Sequence, residues 1–329
     1  MKGIKKSVLD LAVVPQGGNA TLAIERTVAN AQNLEALGYE RFWLAEHHNM
    51  SNIASSATSL LISHVAAHTN TIRVGSGGIM LPNHSPLAIA EAFGTLDILY
   101  PGRIDLGLGR APGTDQLTAM ALRRQSPQLP YDFKANIEEL QAYFGNKDPR
   151  ARVRAFPGEG ASVPIWILGS STDSAYLAAA MGLPYAFACH FAPAQLIAAL
   201  NIYYNRFQPS KALVAPYAMA CVNAIAADTD EEADYLSTSL FQLFKGIVTN
   251  QRMPLAPPVS SLTGILDYQE EAAVRQMLTY SFFGSKKSLQ EKLSAFVDHT
   301  KISEIMFTST IYDAEARDHS FKLLHELAL

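Results

Sequence analysis

Between residues 39 and 115 three strand-like runs follow one another, each closing on residues able to do chemistry, with helix-length segments between them. The first is Arg41-Phe42-Trp43-Leu44-Ala45, ending in Glu46-His47-His48-Asn49. The second, 71–81, contains Gly75-Ser76-Gly77-Gly78, and the third, 104–110, ends in Gly109-Arg110. Segments 55–68 and 86–99 between them read as helices. A strand, helix, strand rhythm implies parallel strands joined by right-handed crossovers. The strand carboxyl ends of such a sheet gather on one face, where (β/α)8 barrels and open sheets alike bind ligands. Three reactive strand ends therefore point to one shared mouth.

The rhythm extends over the chain. Strand one is expected at 8–14, followed by a helix over 19–37 that Gly38 stops. After Arg110 it breaks: 111–130 is rich in Pro, Gly and Gln, 131–144 reads as a helix, and 145–162 as an irregular excursion. It resumes with a strand at 164–168, a helix at 171–181, a strand at 185–189 and a helix at 193–207. Strand seven is expected at 215–226, a helix from Asp228, a helix at 286–299, strand eight at 304–308 and a closing helix at 319–328. Segment 246–283, with Pro254, Pro257 and Pro258, lacks periodicity, and a loop of that length in a packed domain points to a lid. Eight strands of one kind with helices between them count out an α/β (β/α)8 TIM barrel, with insertions after strands 4 and 7. The expected organisation is one domain over 1–329 with a lid insertion at 246–283.

Length and composition agree with this: 329 residues suit one barrel with insertions, and 48% hydrophobic against 17% charged residues provides a sizeable core. A net charge of −4, with no basic cluster beyond Lys2, Lys5 and Lys6, argues against nucleic acid or an anionic membrane as partner. A small molecule is the expected substrate. Cys189 and Cys221 form no C-x-x-C pair and are expected to pack as small hydrophobes in a reducing, cytoplasmic compartment. Asp10 interrupts the short apolar run near the N-terminus, which reads as a strand rather than a signal peptide. No apolar stretch approaches the ~20 residues that span a bilayer.

Each candidate site residue has a functional reading and a plainer one. If strand two persists, alternation sends His47 and His48 to opposite faces, so one of them faces the mouth as acid/base or ligand contact. The plainer reading is a structural histidine held by Glu46. No metal is expected, because the other histidines lack the spacing of helical zinc sites. Gly77 and Gly78 mark a bulge, or a close approach of a flat ring to the backbone. Arg110 on a tight turn suits a bidentate grip on phosphate. Gly169-Ser170-Ser171-Thr172-Asp173-Ser174 joins a strand to a helix and offers N–H groups and hydroxyls at its positive end, or an ordinary serine cap. The usual dinucleotide and P-loop signatures are absent.

At these residues the chain resembles the bacterial luciferase-like flavin monooxygenase superfamily, in its single-polypeptide FMN-linked (alkanal) monooxygenase group. The likeness runs almost end to end and is densest at 41–50, 73–86, 100–116 and 164–171. The resemblance implies a (β/α)8 barrel using reduced FMN supplied by a separate NAD(P)H:flavin reductase, with O2 as co-substrate. It implies a flavin C4a-peroxide that oxygenates a small organic substrate. His47 matches the histidine beside flavin and substrate and becomes the expected catalytic residue. Gly77 and Gly78 match the pair beneath the isoalloxazine, where a non-proline cis peptide is found. Arg110 matches the phosphate-gripping arginine, and Gly169, Ser170, Ser171 and Ser174 match the turn that completes the phosphate site. Barrels of this kind commonly dimerise through helices on one side, so a homodimer is compatible. Two departures matter. Gly109 stands where the light-emitting subunit has a cysteine, so light emission does not follow, and Phe282-Phe283-Gly284 departs from the pattern near strand eight, which bears on packing at the flavin edge. An F420-dependent reductase or dehydrogenase on the same fold, and a non-catalytic flavin-binding protein, stay open as alternatives.

Overall fold

In the computed structural model, which describes residues 3–122, 131–145 and 149–329, local signals place the elements as physical chemistry requires. Strand β1 (Lys5–Asp10) is followed by helix α1 (Ala20–Leu37). The Asn19 side chain caps α1 by accepting from the Leu22 N–H at 3.0 Å. Gly38 ends it at φ 89°, its N–H donating to the carbonyls of Leu34 and Glu35. Strand β2 (Arg41–Leu44), helix α2 (Thr58–Ala67), strand β3 (Arg73–Met80), helix α3 (Pro86–Leu99) and strand β4 (Ile104–Gly109) then repeat the unit. Ser85 caps α3, and Pro86 takes its first position, where a missing N–H costs nothing.

Helices α4 (Gln116–Leu122) and α5 (Phe133–Gly145) follow β4; residues 123–130 of the Pro-, Gly- and Gln-rich segment 111–130, and residues 146–148 of the irregular excursion expected at 145–162, lie outside the described residues. The repeat resumes with strand β5 (Ile165–Gly169), helix α6 (Thr172–Met181), strand β6 (Tyr185–Ala188), helix α7 (Leu196–Arg206) and strand β7 (Ala218–Ala227). Helix α8 (Asp230–Val248), helix α9 (Tyr268–Met277), strand β8 (Ser281–Ser285), helix α10 (Lys286–Thr300), strand β9 (Glu304–Thr308) and helix α11 (Ala314–His325) complete the chain. All strand pairings are parallel; β1 to β7 pair in order, and β9 bridges β7 and β1 to close an eight-stranded ring.

Four expectations need correction. The first strand lies at Lys5–Asp10 rather than 8–14, because Ala12 turns the backbone to φ 49° and its N–H donates to Asp10 at 2.6 Å. A ninth strand, β8, escapes sequence reading: it is short, contains Gly284, and pairs only with the far half of β7, outside the ring. The insertion after β7 is consequently not a plain lid over 246–283. It contains α9, whose Asp267 and Glu270 form a capping box, and it ends inside β8. The closing helix starts at Ala314 rather than 319, capped by Asp313.

Strand alternation sorts side chains into two layers. Outward-facing Val8, Phe42, Leu44, Val74, Leu106 and Ile167 pack under the helices. Inward-facing Leu9, Trp43, Trp166, Met219 and Met306 fill the barrel. The two indoles meet edge to face at 5.1 Å. At the amino-terminal end of the barrel Arg41 bonds Asp105 and Glu304, each at 2.7 Å. Arg73 also bonds Asp105, while Tyr217 and Ser7 donate to Glu304. Burial works against the charge on Arg41, but the two carboxylates outweigh it and raise its pKa above the ordinary value. The opposite end is open, and the reactive strand ends lie there.

Candidate active site

A cavity of about 960 Å³ occupies the carboxyl ends of the strands. Its floor is Leu9, Trp43 and Met306, and its roof comes from the insertion after β7, through Phe244, Ile247, Arg252 and Met277. The insertion has its own small core of Leu240, Phe241, Phe244, Leu266, Val274 and Leu278. Its approach to the mouth is fixed by hydrogen bonds of 2.9 Å from Leu255 N–H to the Val14 carbonyl and 2.8 Å from Gln16 N–H to the Leu255 carbonyl.

His47 follows β2 and lines the cavity. Its Nδ1 lies 3.3 Å from the Gly113 carbonyl. A carbonyl can only accept, so the proton sits on Nδ1 and Nε2 is left as an acceptor. Burial, with the charges of Arg252 and His48, lowers its pKa, against the Gly113 carbonyl and Glu46, which raise it. The lowered pKa favours the neutral ring, in which Nε2 is an acceptor.

The expected division of His47 and His48 onto opposite faces does not occur: β2 ends at Leu44, alternation stops with it, and both rings line the cavity. Glu46 holds His48 rather than His47. Its buried carboxylate accepts from Nε2 of His48 and Nε2 of His84, each at 2.9 Å, from Met80 N–H at 3.1 Å and from Asn83 at 3.2 Å. Burial would raise the Glu46 pKa, yet His84, His48 and the Met80 N–H together hold it below the ordinary carboxylate value. The carboxylate and two imidazoles bring ligand atoms within 4.8 Å of one another. Both rings already donate to the carboxylate, so the group is a hydrogen-bond hub that ties the loop after β2 to the turn after β3. His84 had no signal in sequence, because the turn that folds it back could not be foreseen.

The Gly77–Gly78 peptide is cis, and the β3–β4 register shifts between Gly77 and Ile79. Gly77 lines the cavity. A Cβ on Gly78 would instead stand 2.7 Å from the Gly107 carbonyl oxygen and 3.0 Å from Leu168. Gly78 is thus demanded by the neighbouring strand.

Arg110, at the end of β4, lines the cavity and also an adjoining groove of about 500 Å³, shared with Lys134, Asp173 and Ser174. Its guanidinium meets Asp173 at 3.3 Å, with both groups largely in solvent, a pairing worth little and easily exchanged. Gly169, Ser170, Ser171 and Ser174 gather beside it. Ser171 stands at the N-cap of α6 without a side-chain bond to the helix; the Thr172 N–H donates instead to the Gln195 side-chain oxygen at 2.9 Å, and the following N–H groups of the first turn lie at the positive end of a ten-residue helix. The Ser174 hydroxyl is engaged by the Ser171 carbonyl at 2.7 Å and Tyr185 at 2.9 Å. Side-chain volume explains Gly169, since a Cβ there would collide with Ser174. A helix N-terminus whose own N-cap serine makes no bond to it, a loosely paired arginine and Lys134 across the groove form a donor set that fits a phosphate. Lys134 lies on a separate helix and was not foreseen.

On the far wall His190 lines the cavity with its Nδ1 buried and unpartnered. Burial, with some help from His47, lowers its pKa to about 4. Asn223 donates to the His190 carbonyl at 2.7 Å and fixes that turn. Among the described residues no helix is long and apolar enough to cross a membrane.

Comparison with known proteins extends these observations. The family model for luciferase-like monooxygenases matches residues 4–278. A luciferase-like monooxygenase of Escherichia coli strain K12 is 49% identical over 322 residues, covering 98% of this chain and 96% of its own. The N-acetyl-S-alkylcysteine monooxygenase of Bacillus subtilis strain 168 is 31% identical over 332 residues, covering 99% and 98%. Among solved structures, apo-MsnO8 superimposes with a TM-score of 0.91 at 32% identity, covering 98% of both chains.

Proposed function

Because this chain belongs to the luciferase-like monooxygenase family, and so to the flavin-dependent oxidoreductases, we propose that it binds reduced FMN in the barrel mouth and uses O2 to oxygenate a small organic substrate. The observation that carries the reading is the convergence of a neutral, acceptor-bearing His47 with the phosphate-suited corner of Arg110 and α6 on one cavity. Arg110, Ser170, Ser171 and the α6 N–H groups would hold the phosphate. Gly77 would let the ring lie against β3, with Gly78 supporting that backbone from the wall. Gly169 and Ser174 would shape the turn. Bound reduced FMN would supply the electrons that activate O2, and a separate NAD(P)H:flavin reductase would regenerate it.

In this reading His47 moves the proton. With Nδ1 donating to Gly113, Nε2 would accept a proton from the reacting substrate and return it to the product. The apolar roof of Phe244, Ile247 and Met277 excludes water from the reacting centre. The similarity to a relative named as an N-acetyl-S-alkylcysteine monooxygenase supports a small organic substrate.

The test is an anaerobic titration with reduced FMN, then rapid mixing with oxygenated buffer while the flavin spectrum is recorded. The expected result is saturable binding and a persisting spectrum unlike either the oxidised or the reduced form. His47→Ala should keep FMN affinity within about threefold while oxygenation falls by at least about a hundredfold. Immediate reoxidation would favour a reductase or a passive flavin carrier. Binding of F420 in place of FMN would replace the proposal, and full turnover by His47→Ala would remove the histidine from it.

A further inference from the structure

The cavity is largely apolar where the substrate would enter, with Leu11, Val13, Ile53, Phe244, Ile247 and Met277 on its sides. Its charged lining is Arg110, Asp115 and Arg252. Arg110 faces Asp173, and Asp115 already accepts from Thr118 and Asn49. Arg252 stands in no ion pair among the described residues. Its polar contact is Nη1 to the thioether sulfur of Met50 at 3.1 Å, a weak acceptor for a group with five donors.

Its position is built into the fold. Asn250 turns the chain at φ 54°, and the Gln251 N–H donates to the Gly246 carbonyl at 2.9 Å. Three residues on, Leu255 is bonded to Val14. Arg252, which is exposed, thereby lines the cavity beside the loop after β2 rather than at the corner between β4 and β5 where Arg110 and α6 would accommodate phosphate. Arg252 and His47 line the same cavity. The His190 Nδ1, buried and unpartnered on the same cavity, is a second polar atom that the protein alone leaves unsatisfied.

We propose that this cavity takes a substrate with an apolar body and one terminal carboxylate, and that Arg252 binds the carboxylate. An apolar roof with a single uncommitted guanidinium is complementary to that shape and charge and to few others. The inference rests on the cavity being the substrate chamber beside FMN.

The experiment is isothermal titration calorimetry of octanoate and octanamide into FMN-saturated protein at neutral pH. Octanoate is expected to bind at least about tenfold more tightly than octanamide. Arg252→Gln should bring that ratio close to one without altering FMN affinity, and Arg252→Glu should shift the preference to octylamine. Equal affinity for the two probes in the native protein would overturn the proposal, as would absence of saturable octanoate binding. So would a preference for octanoate that survives in Arg252→Gln, or a loss of FMN affinity in that variant, which would assign the guanidinium to the flavin. Failure of FMN itself to bind the native protein strikes the functional reading instead, and is seen in the separate flavin titration.

Discussion

At the scale of single residues the site is organised by what each polar group has left to offer. Arg110 keeps its guanidinium in solvent against an exposed carboxylate, so a phosphate can take that place. Arg110→Ala is expected to weaken FMN roughly tenfold to a hundredfold and riboflavin hardly at all, as suits a lost charge-assisted bond. Fluorescence titration with both flavins checks this, and equal losses would deny the phosphate role. His190 carries a pH dependence. Its pKa falls from an ordinary 6.5 to about 4 in the fold, so between those values the unfolded chain binds the proton and the native state resists it. Stability should be whole above pH ~6.5 and decline to pH ~4, by up to roughly 3 kcal/mol. Urea unfolding of native protein and His190→Gln across that range should show a shallower acid decline in the variant. Identical slopes would mean that the ring takes up its proton freely in the folded state.

At the scale of elements, most of the barrel was legible because its signals are local. Asn19, Gly38, Ser85 and Pro86 mark helix ends through backbone chemistry that acts within a turn, and those ends fall where expected. The reactive strand ends were legible for the same reason: parallel strands must deliver them to one face. What escaped depends on partners far along the chain. Strand β8 exists only because β7 runs past the ring to receive it. The Glu46 hub needs His84 folded back from the turn after β3, and Arg252 acquires meaning only where the insertion roofs the mouth. The β3–β4 seam offers a steric test. In Gly78→Ala a Cβ must stand 2.7 Å from the backbone oxygen of Gly107, and overpacking of that kind costs about 1–3 kcal/mol. Gly145→Ala, where an added Cβ meets nothing within 4 Å, should change stability by less than about 0.5 kcal/mol. Paired urea midpoints decide: similar values for the two variants would show that the seam can give way.

At the scale of the molecule, charge at one end of the barrel and chemistry at the other divide the labour. Arg41 sits between Asp105 and Glu304, all three buried, and its guanidinium lies 4.9 Å from the Trp166 ring. Arg41→Met would leave the buried Glu304 without a cationic partner, Asp105 keeping Arg73, and is expected to cost roughly 3–5 kcal/mol, visible as a lowered thermal midpoint. A midpoint unchanged from the native protein would mean that water reaches this end of the barrel. Closed below by those ions and filled by its two indoles, the barrel is open at the carboxyl ends of its strands. Under the proposed function flavin and substrate would share that end, and a substrate that settled ahead of the flavin would bar its way and act as its own inhibitor.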